Sequence, residues 1–578
     1  MLPLRVCAAG DRPGANMPPH AHGKPDRVAF EAERALGSRH GDRSGPIGPV
    51  SGTEGSGRPG RDGIDSAERI RSRIRTAPVP VERLKSRRTR TPSSAQPGGR
   101  TVNRHSALSL LVLLCVAGCT DRGGPRVPSS PPATVPAAAA CDVAESAGHR
   151  YVSSVGRNGR YFEDQHGDPI LIRGDSPWSG MADWSPEQAE LYFANRAAHG
   201  FDAALVSVIA DPDNGGPNEN GATFDGIEPF VGGDITAWNE PYWERVDEYA
   251  RIACRYGNTL FLYPIDGWNL SGVFASATPE QAAVYGRMIA QRYARFPNIV
   301  WLTGGDYSPD TDDAAAGAES DRVLRAVLDG IRAAGSDRPF SIQLGPQKSL
   351  STDNPFWEPL VDWNFVYTYL PTYKAVLDGY ERPAGVRDPR PAVFAEGNYE
   401  GENNQPETAP TTDETLRRQA LWALTSGSPG EFRGSDDWEF RDGWEARLDT
   451  PAVTQLRALR DLWASWAWWQ LVPDVDDPFV LDGRGTRATD DETVDVLDND
   501  YVTAARTPDG ALAVVYVPTE RTIRLALSLI PQGASYAWID PADAAAPALP
   551  AQVGRDGNVS TPGTNVGGAE DWLLVVTG

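Results

Sequence analysis

A chain of 578 residues with 17 tryptophans and a 40% apolar share holds enough material for a large core and more than one domain. Its formal charge of −23 argues against nucleic acid as a partner, since phosphate binding needs a basic face; the acidity reads as a solubility feature of a secreted protein. Seven scattered histidines and five cysteines without metal-ligand spacing argue against a zinc enzyme, so neither metal nor cofactor is expected.

Residues 1–101 carry arginines, prolines and glycines but no sustained apolar period, as in "RTAPVPVERLKSRRTRTPSSAQPGGR". An arginine-rich arm is one reading; disorder, or a mis-annotated upstream extension, is the other. In 102–118 a basic start at Arg104 precedes an apolar run from Ala107 to Val116, too short to span a bilayer. This is the layout of a secretory signal, against the alternative of an internal buried helix. Its ending, Val116-Ala117-Gly118-Cys119, resembles a bacterial lipobox, which implies a lipid anchor at Cys119 and an extracytoplasmic, membrane-anchored or secreted protein. Translation is then expected to start near Val102. Residues 119–144, rich in Pro, Ala and Ser, read as a semi-extended tether. Cys7 and Cys115 would be missing from the mature chain, which leaves Cys141 and Cys254 as a disulfide or as two isolated buried thiols.

From 145 to 470 short apolar runs alternate with amphipathic stretches. Strands are predicted at "PILIRGD", "FDAALVSVI", "TLFLYPID", "NIVWLTGGD", "PFSIQLG", "WNFVYTYL" and "PAVFAEGNY", with "GSPGEFRG" as a weak eighth. Helices are predicted between most of them, the first with Ser185 as N-cap, Pro186 next and Gly200 at its end. Parallel strands separated by helices over about 320 residues predict an α/β fold, a (β/α)8 TIM barrel. An open doubly wound sheet is the rival, but the first strand ends in "RGDSPW" rather than a glycine-rich phosphate turn.

In such a barrel the site lies where strands end, and these strands end in Asp175, Asp266, Asp306, Tyr369 and Glu396. The apolar "IVWL" reads as a strand buried on both faces. Gly304 and Gly305 let its backbone turn, so that Asp306 is delivered into the mouth. Three strands later "VFAEGNYE" delivers Glu396. Two carboxylates across a barrel mouth suit glycoside hydrolysis, one protonating the leaving oxygen and the other attacking the anomeric carbon.

"RYARFPNIVWLTGGD" and "DPRPAVFAEGNYEG", with "PILIRGDSPW", "NEPYWERVDEYARIACRYGNTLFLYPIDGW" and "RRQALWALTSGSPGEFRGSDDW", resemble the apiosidase-like glycoside hydrolase family over roughly residues 151–473. The resemblance implies an exported retaining hydrolase of a branched plant or microbial polysaccharide, with Asp306 as acid/base and Glu396 as nucleophile. Glu400, four residues on, is the rival nucleophile or a sugar contact. Asp306 must start protonated, which needs a raised pKa. Relatives tend to show a Gly-Tyr-Gly turn where this chain has "GEFRGSDDW", a difference in a loop that shapes the sugar pocket.

Trp178, Trp268, Tyr307, Tyr369, Tyr399 and Trp438 are expected to stack on sugar rings, and Asp175 and Asp266 to orient the sugar or the acids. "ADPDNGGPNENG" reads as a solvated substrate loop rather than a calcium loop, whose spacing it lacks. Over 471–578 the helices stop and short alternating segments with a Pro-Asp-Gly turn predict a small antiparallel β-sandwich. It resembles a domain that follows the barrel in the same family and is named for collagen binding; a lid on the barrel is the plainer role, and carbohydrate binding is unmarked in the sequence. A surface carbohydrate-binding lipoprotein without activity is the alternative to an enzyme, and an inverting or endo-acting glycanase the alternative within enzymes.

Overall fold

The computed structural model describes residues 141, 146–309, 314–345, 348–380, 389–404, 409–475, 478–489 and 494–578. The expectations for 1–118, for Cys119 and for most of the tether lie outside them.

Eight parallel strands surround one core: β1 (Ile172–Asp175), β2 (Ala203–Ser207), β3 (Thr259–Tyr263), β4 (Ile299–Tyr307), β5 (Phe340–Leu344), β6 (Asn364–Thr368), β7 (Ala392–Glu396) and β8 (Gly430–Ser435). The ladders run β5-β4-β3-β2-β1-β8-β7-β6. Among the described residues, seven helices longer than one turn cover them: α1 (Pro186–Ala198), α2 (Glu240–Arg255), α3 (Pro279–Arg292), α4 (Ala314–Ala333), α5 (Thr372–Asp378), α6 (Asp413–Thr425) and α7 (Pro451–Ala464). Ser185 and Thr278 cap α1 and α3 through capping boxes, each with proline in the first turn. Between β5 and β6 the described connection holds no α-helix, only a single 3-10 turn (Ser351–Asp353); a short strand, Lys348–Leu350, turns back antiparallel against β6.

The ring closes there without a ladder. Phe340 C=O accepts from the Asp362 N–H at 2.8 Å. Ser341 donates its hydroxyl to Trp363 C=O at 2.6 Å, and Ser351 donates to Ile342 C=O at 2.6 Å while accepting from Phe365 N–H at 2.8 Å. Hydroxyls thus satisfy much of the main chain along this junction.

Alternation sorts each strand. Leu205, Phe261, Leu302, Phe365, Val393 and Phe432 face inward, whereas Val206, Leu262, Trp301 and Ile342 face the helices. At the end where the strands begin, a small antiparallel sheet (Val152–Val155, Phe162–Asp164, Pro169–Ile170) plugs the barrel, with Phe162 edge-on to Trp363. Cys141 and Cys254 form a disulfide that ties this entry segment to the end of α2.

Beyond the barrel a six-stranded antiparallel sheet and a three-stranded one enclose a core of their own, including Val480, Val515, Trp538, Trp572 and Leu574. In the strand Leu512–Val517, Ala513, Val515 and Val517 face this core. Leu512, Val514 and Tyr516 face Leu421, Trp422, Leu459 and Trp463 of α6 and α7. Burial on both faces explains why "ALAVVYV" and "WLLVVT" lack polar alternation. The β region therefore packs against the flank of the barrel. Within that contact Arg417 donates to both oxygens of the fully buried Asp571, at 2.9 and 3.0 Å.

Candidate active site

Two register breaks build the mouth. Thr303 of β4 pairs with Ile342 and Tyr307 with Leu344, so Gly304, Gly305 and Asp306 together oppose the single residue Gln343. All three adopt positive φ, 101°, 77° and 52°. For Asp306 this is strained backbone, and strain of this kind gathers at functional sites. A side chain at Gly304 would stand 2.0 Å from the Gln343 carbonyl oxygen, so the close approach requires glycine. The sequence predicts a strand ending at Asp306; the strand instead bulges there and continues through Tyr307.

On β7 the break is smaller. Phe394 pairs with Val366 but Glu396 with Tyr367, leaving Ala395 as an extra residue. Simple alternation from the inward Val393 would turn Glu396 toward the helices. The extra residue turns it beside the inward Tyr367 instead. Gln419 of α6 holds the following turn, accepting from Asn398 N–H at 3.1 Å and donating to the carbonyls of Thr368 and Leu370.

Gln343 joins the two acids. Its Nε2 donates to Glu396 Oε2 and lies 3.3 Å from Asp306 Oδ1, while its Oε1 accepts from the Tyr263 hydroxyl at 2.8 Å. Two hydrogen bonds through one nitrogen keep the nearer carboxylate oxygens within roughly 6 Å of each other. Tyr399 donates to Glu396 Oε1 at 2.9 Å and accepts from Trp178 Nε1 at 2.5 Å. Its ring lies against Gly434, where a Cβ would come within 2.4 Å of it. Burial first, then the charge on Asp306, pushes Glu396 well above the usual carboxylate range, against the Tyr399 hydrogen bond. Tyr369 joins Tyr367 hydroxyl to hydroxyl at 2.5 Å, and the charges of Glu396 and Asp306 help burial to raise its phenol.

Trp178, Tyr369 and Tyr399 therefore share the mouth with Asp306 and Glu396. Trp268 stands half-buried beside Gly305. Trp438 leans on Gly215 and donates to Glu402 Oε1 at 2.7 Å. Asp266 is buried just past β3, accepting from Ser207 Oγ, Asn214 Nδ2 and Asn269 N–H at 2.8, 2.6 and 2.9 Å. Burial pushes it up to about 7 despite those bonds.

Three expected residues are placed elsewhere. Gly174 faces inward against Phe432, so its neighbour Asp175 faces α1, bound by Arg196 at 2.8 Å, Arg433 at 3.3 Å and Tyr192 at 2.9 Å. Burial raises this carboxyl, but the two guanidiniums hold it below the usual range. Tyr307, paired with Leu344, faces the helices and donates to Asp321 of α4 at 2.9 Å. Glu400 is held by Arg433 at 2.5 Å and by the Thr450 hydroxyl at 2.9 Å. In "ADPDNGGPNENG", Asp211 and Asn214 bond each other and the Asp266 shell. Sequence reasoning missed Gln343, Tyr263, Tyr367 and Glu402. Gln343 was detectable as the second polar residue of the alternating "FSIQL".

A parallel barrel with a half-buried and a buried carboxylate, Asp306 and Glu396, at the ends of its fourth and seventh strands has the form of a glycoside hydrolase. Residues 156–470 match the family described as apiosidase-like, catalytic domain, and the chain belongs to it. Among solved structures, the fold is shared with a glycoside hydrolase family 5 protein from Bacteroides vulgatus ATCC 8482. That likeness has 18% identity and a TM-score of 0.61 over 74% of this chain and 94% of the other. A second structure, described as a glycoside hydrolase, has 20% identity and a TM-score of 0.60 over 75% of this chain and 97% of its own. Comparison with curated proteins returns no match.

Proposed function

We propose that the chain is a retaining, apiosidase-like glycoside hydrolase, exported and lipid-anchored through Cys119, that removes sugars from a branched plant or microbial polysaccharide. The observation that carries the retaining reading is the single amide bridging Asp306 and Glu396. The spacing it imposes suits carboxyl groups about 5 to 5.5 Å apart, whereas inverting enzymes need about 6.5 to 9.5 Å for a water between them.

Burial of Glu396 and repulsion between the two carboxylates make it costly to ionise both acids, so the pair is read as holding one proton between them. Tyr399 and Gln343 donate to both oxygens of Glu396, hydrogen bonds that favour the anion and oppose the upward push of burial and of the Asp306 charge; the retaining cycle starts from the form in which Glu396 is the anion and Asp306 carries the proton. Asp306 then protonates the leaving oxygen as Glu396 attacks the anomeric carbon. In the second half Asp306 takes a proton from water, and the resulting hydroxide releases the sugar from Glu396. Trp178, Trp268, Trp438, Tyr369 and Glu402 offer apolar faces and hydroxyl-binding groups to a neutral sugar. Arg433, which meets both Asp175 and Glu400, supports the "GSDDW" loop from below.

The test uses the full chain with Asp306→Asn and Glu396→Gln, on aryl apiosides and branched cell-wall polysaccharides. Wild-type release of a sugar whose first-formed anomer keeps its configuration by NMR, lost in both variants, supports the reading. Azide should rescue Asp306→Asn on an activated aryl glycoside with retention. A first product of inverted configuration, or an active Glu396→Gln, overturns it. For export, the Cys119 peptide should carry a lipid in the membrane fraction; an unmodified soluble chain overturns that part.

A further inference from the structure

The mouth contains an amide whose orientation is dictated from behind. The oxygen of Gln343 can only accept, so the Tyr263 hydroxyl 2.8 Å away must donate to it. Burial, then the charges of Glu396 and Asp266, raises the Tyr263 phenol well above its ordinary value, so that donation persists at any working pH. Gln343 is 1% exposed and sits where β4 bulges over it, its carbonyl against Gly304. Its nitrogen therefore always faces the acids. A flipped amide would set its oxygen against two carboxylates and leave Tyr263 without an acceptor.

We infer that Gln343 is a positioning residue: with its amide oriented by Tyr263, it holds Glu396 as the attacking anion and fixes its distance from Asp306. The inference rests on the hydrolase reading above. Groups facing Glu396 are Asp306 from β4, Tyr263 from β3, Tyr367 from β6, Tyr369 from just past it, and Tyr399 and Glu402 from beyond β7. The tyrosines stay neutral, so the N–H of Gln343 and the hydroxyl of Tyr399 are the donors that set the charge on Glu396.

Two variants separate orientation from presence. Gln343→Met keeps the volume and removes the donor; Tyr263→Phe keeps the donor and frees the amide to turn. The first readout is kcat/KM against pH on 4-nitrophenyl β-D-apiofuranoside. The second needs no substrate: the pH at which the protonated-carboxyl infrared band, identified by its loss in Glu396→Gln, disappears. Both variants should move the acidic limb and the band upward by about one pH unit, with roughly tenfold lower kcat/KM below the limb. In the double variant Tyr263→Phe should add nothing further, since it acts through Gln343. Unmoved limb and band in folded variants, or additive effects, overturn the inference. If wild type leaves the apioside intact, the apioside reading fails while the infrared arm still tests Gln343.

Discussion

Asp175 and Glu396 both end strands of one barrel, both are buried, and they are driven in opposite directions. Asp175 faces outward to α1 and is matched by Arg196 and Arg433; Glu396 faces inward, near another carboxylate, and is met by an amide and a phenol. Depth of burial therefore does not define the site. What defines it is which side of the strand the acid occupies and whether its neighbours carry charge or only donate hydrogen bonds.

Breaking the inward case should have the largest effect. Glu396→Gln is expected to lower kcat/KM by on the order of 10³-fold or more while leaving thermal stability equal or higher, because a like-charge contact is removed. Kinetics and calorimetry on one preparation check it. The matched acids should behave oppositely. Asp571→Ala strands Arg417 in the contact between barrel and β region and is expected to cost about 3 to 5 kcal/mol in urea unfolding; Asp175→Ala should act likewise on Arg196 and Arg433.

A pH series sharpens the contrast. Asp175, held low in the folded state, contributes stability above the unfolded carboxylate pKa that is lost on acidification through its folded value. Asp266, pushed up to about 7, contributes stability below the unfolded pKa that is lost as pH rises from about 4 to 7. Asp266→Asn should flatten the decline in melting temperature across that window, and an unchanged slope would refute the assignment. The smallest effect is expected for Tyr307→Phe, which removes only the bond to Asp321: about 1 kcal/mol of stability and less than twofold in kcat/KM. Tyr399→Phe, by contrast, should shift the pH profile.

The barrel was legible because its strands are apolar on both faces and amphipathic helices separate them, the first announced by Ser185, Pro186 and Gly200. Asp306 and Glu396 were legible as strand-end acids, and so was the error over Asp175: with Ile172 and Gly174 facing inward, alternation already turned Asp175 outward. Tyr307 and Glu396 were not readable in this way. Their orientation depends on the bulge at Gly304–Asp306 and on the extra Ala395, and a register break leaves no periodic mark in the sequence. Gln343 escaped because an amide alone signals no chemistry; its role comes from the two acids and the phenol that the fold gathers around it.

The junction of β5 and β6 has a consequence for how activity is acquired and lost. A ring whose last joint rests on serine hydroxyls rather than a full ladder should part there first, and amide exchange should be fastest along that edge. Gln343 stands on one lip of this joint, on β5, and Glu396 lies beyond the other, on β7. A brief opening would pull the amide from its carboxylate while every helix stayed folded. Catalysis would then vanish at temperatures where circular dichroism still shows an intact protein, making turnover a more sensitive gauge of barrel closure than any measure of secondary structure.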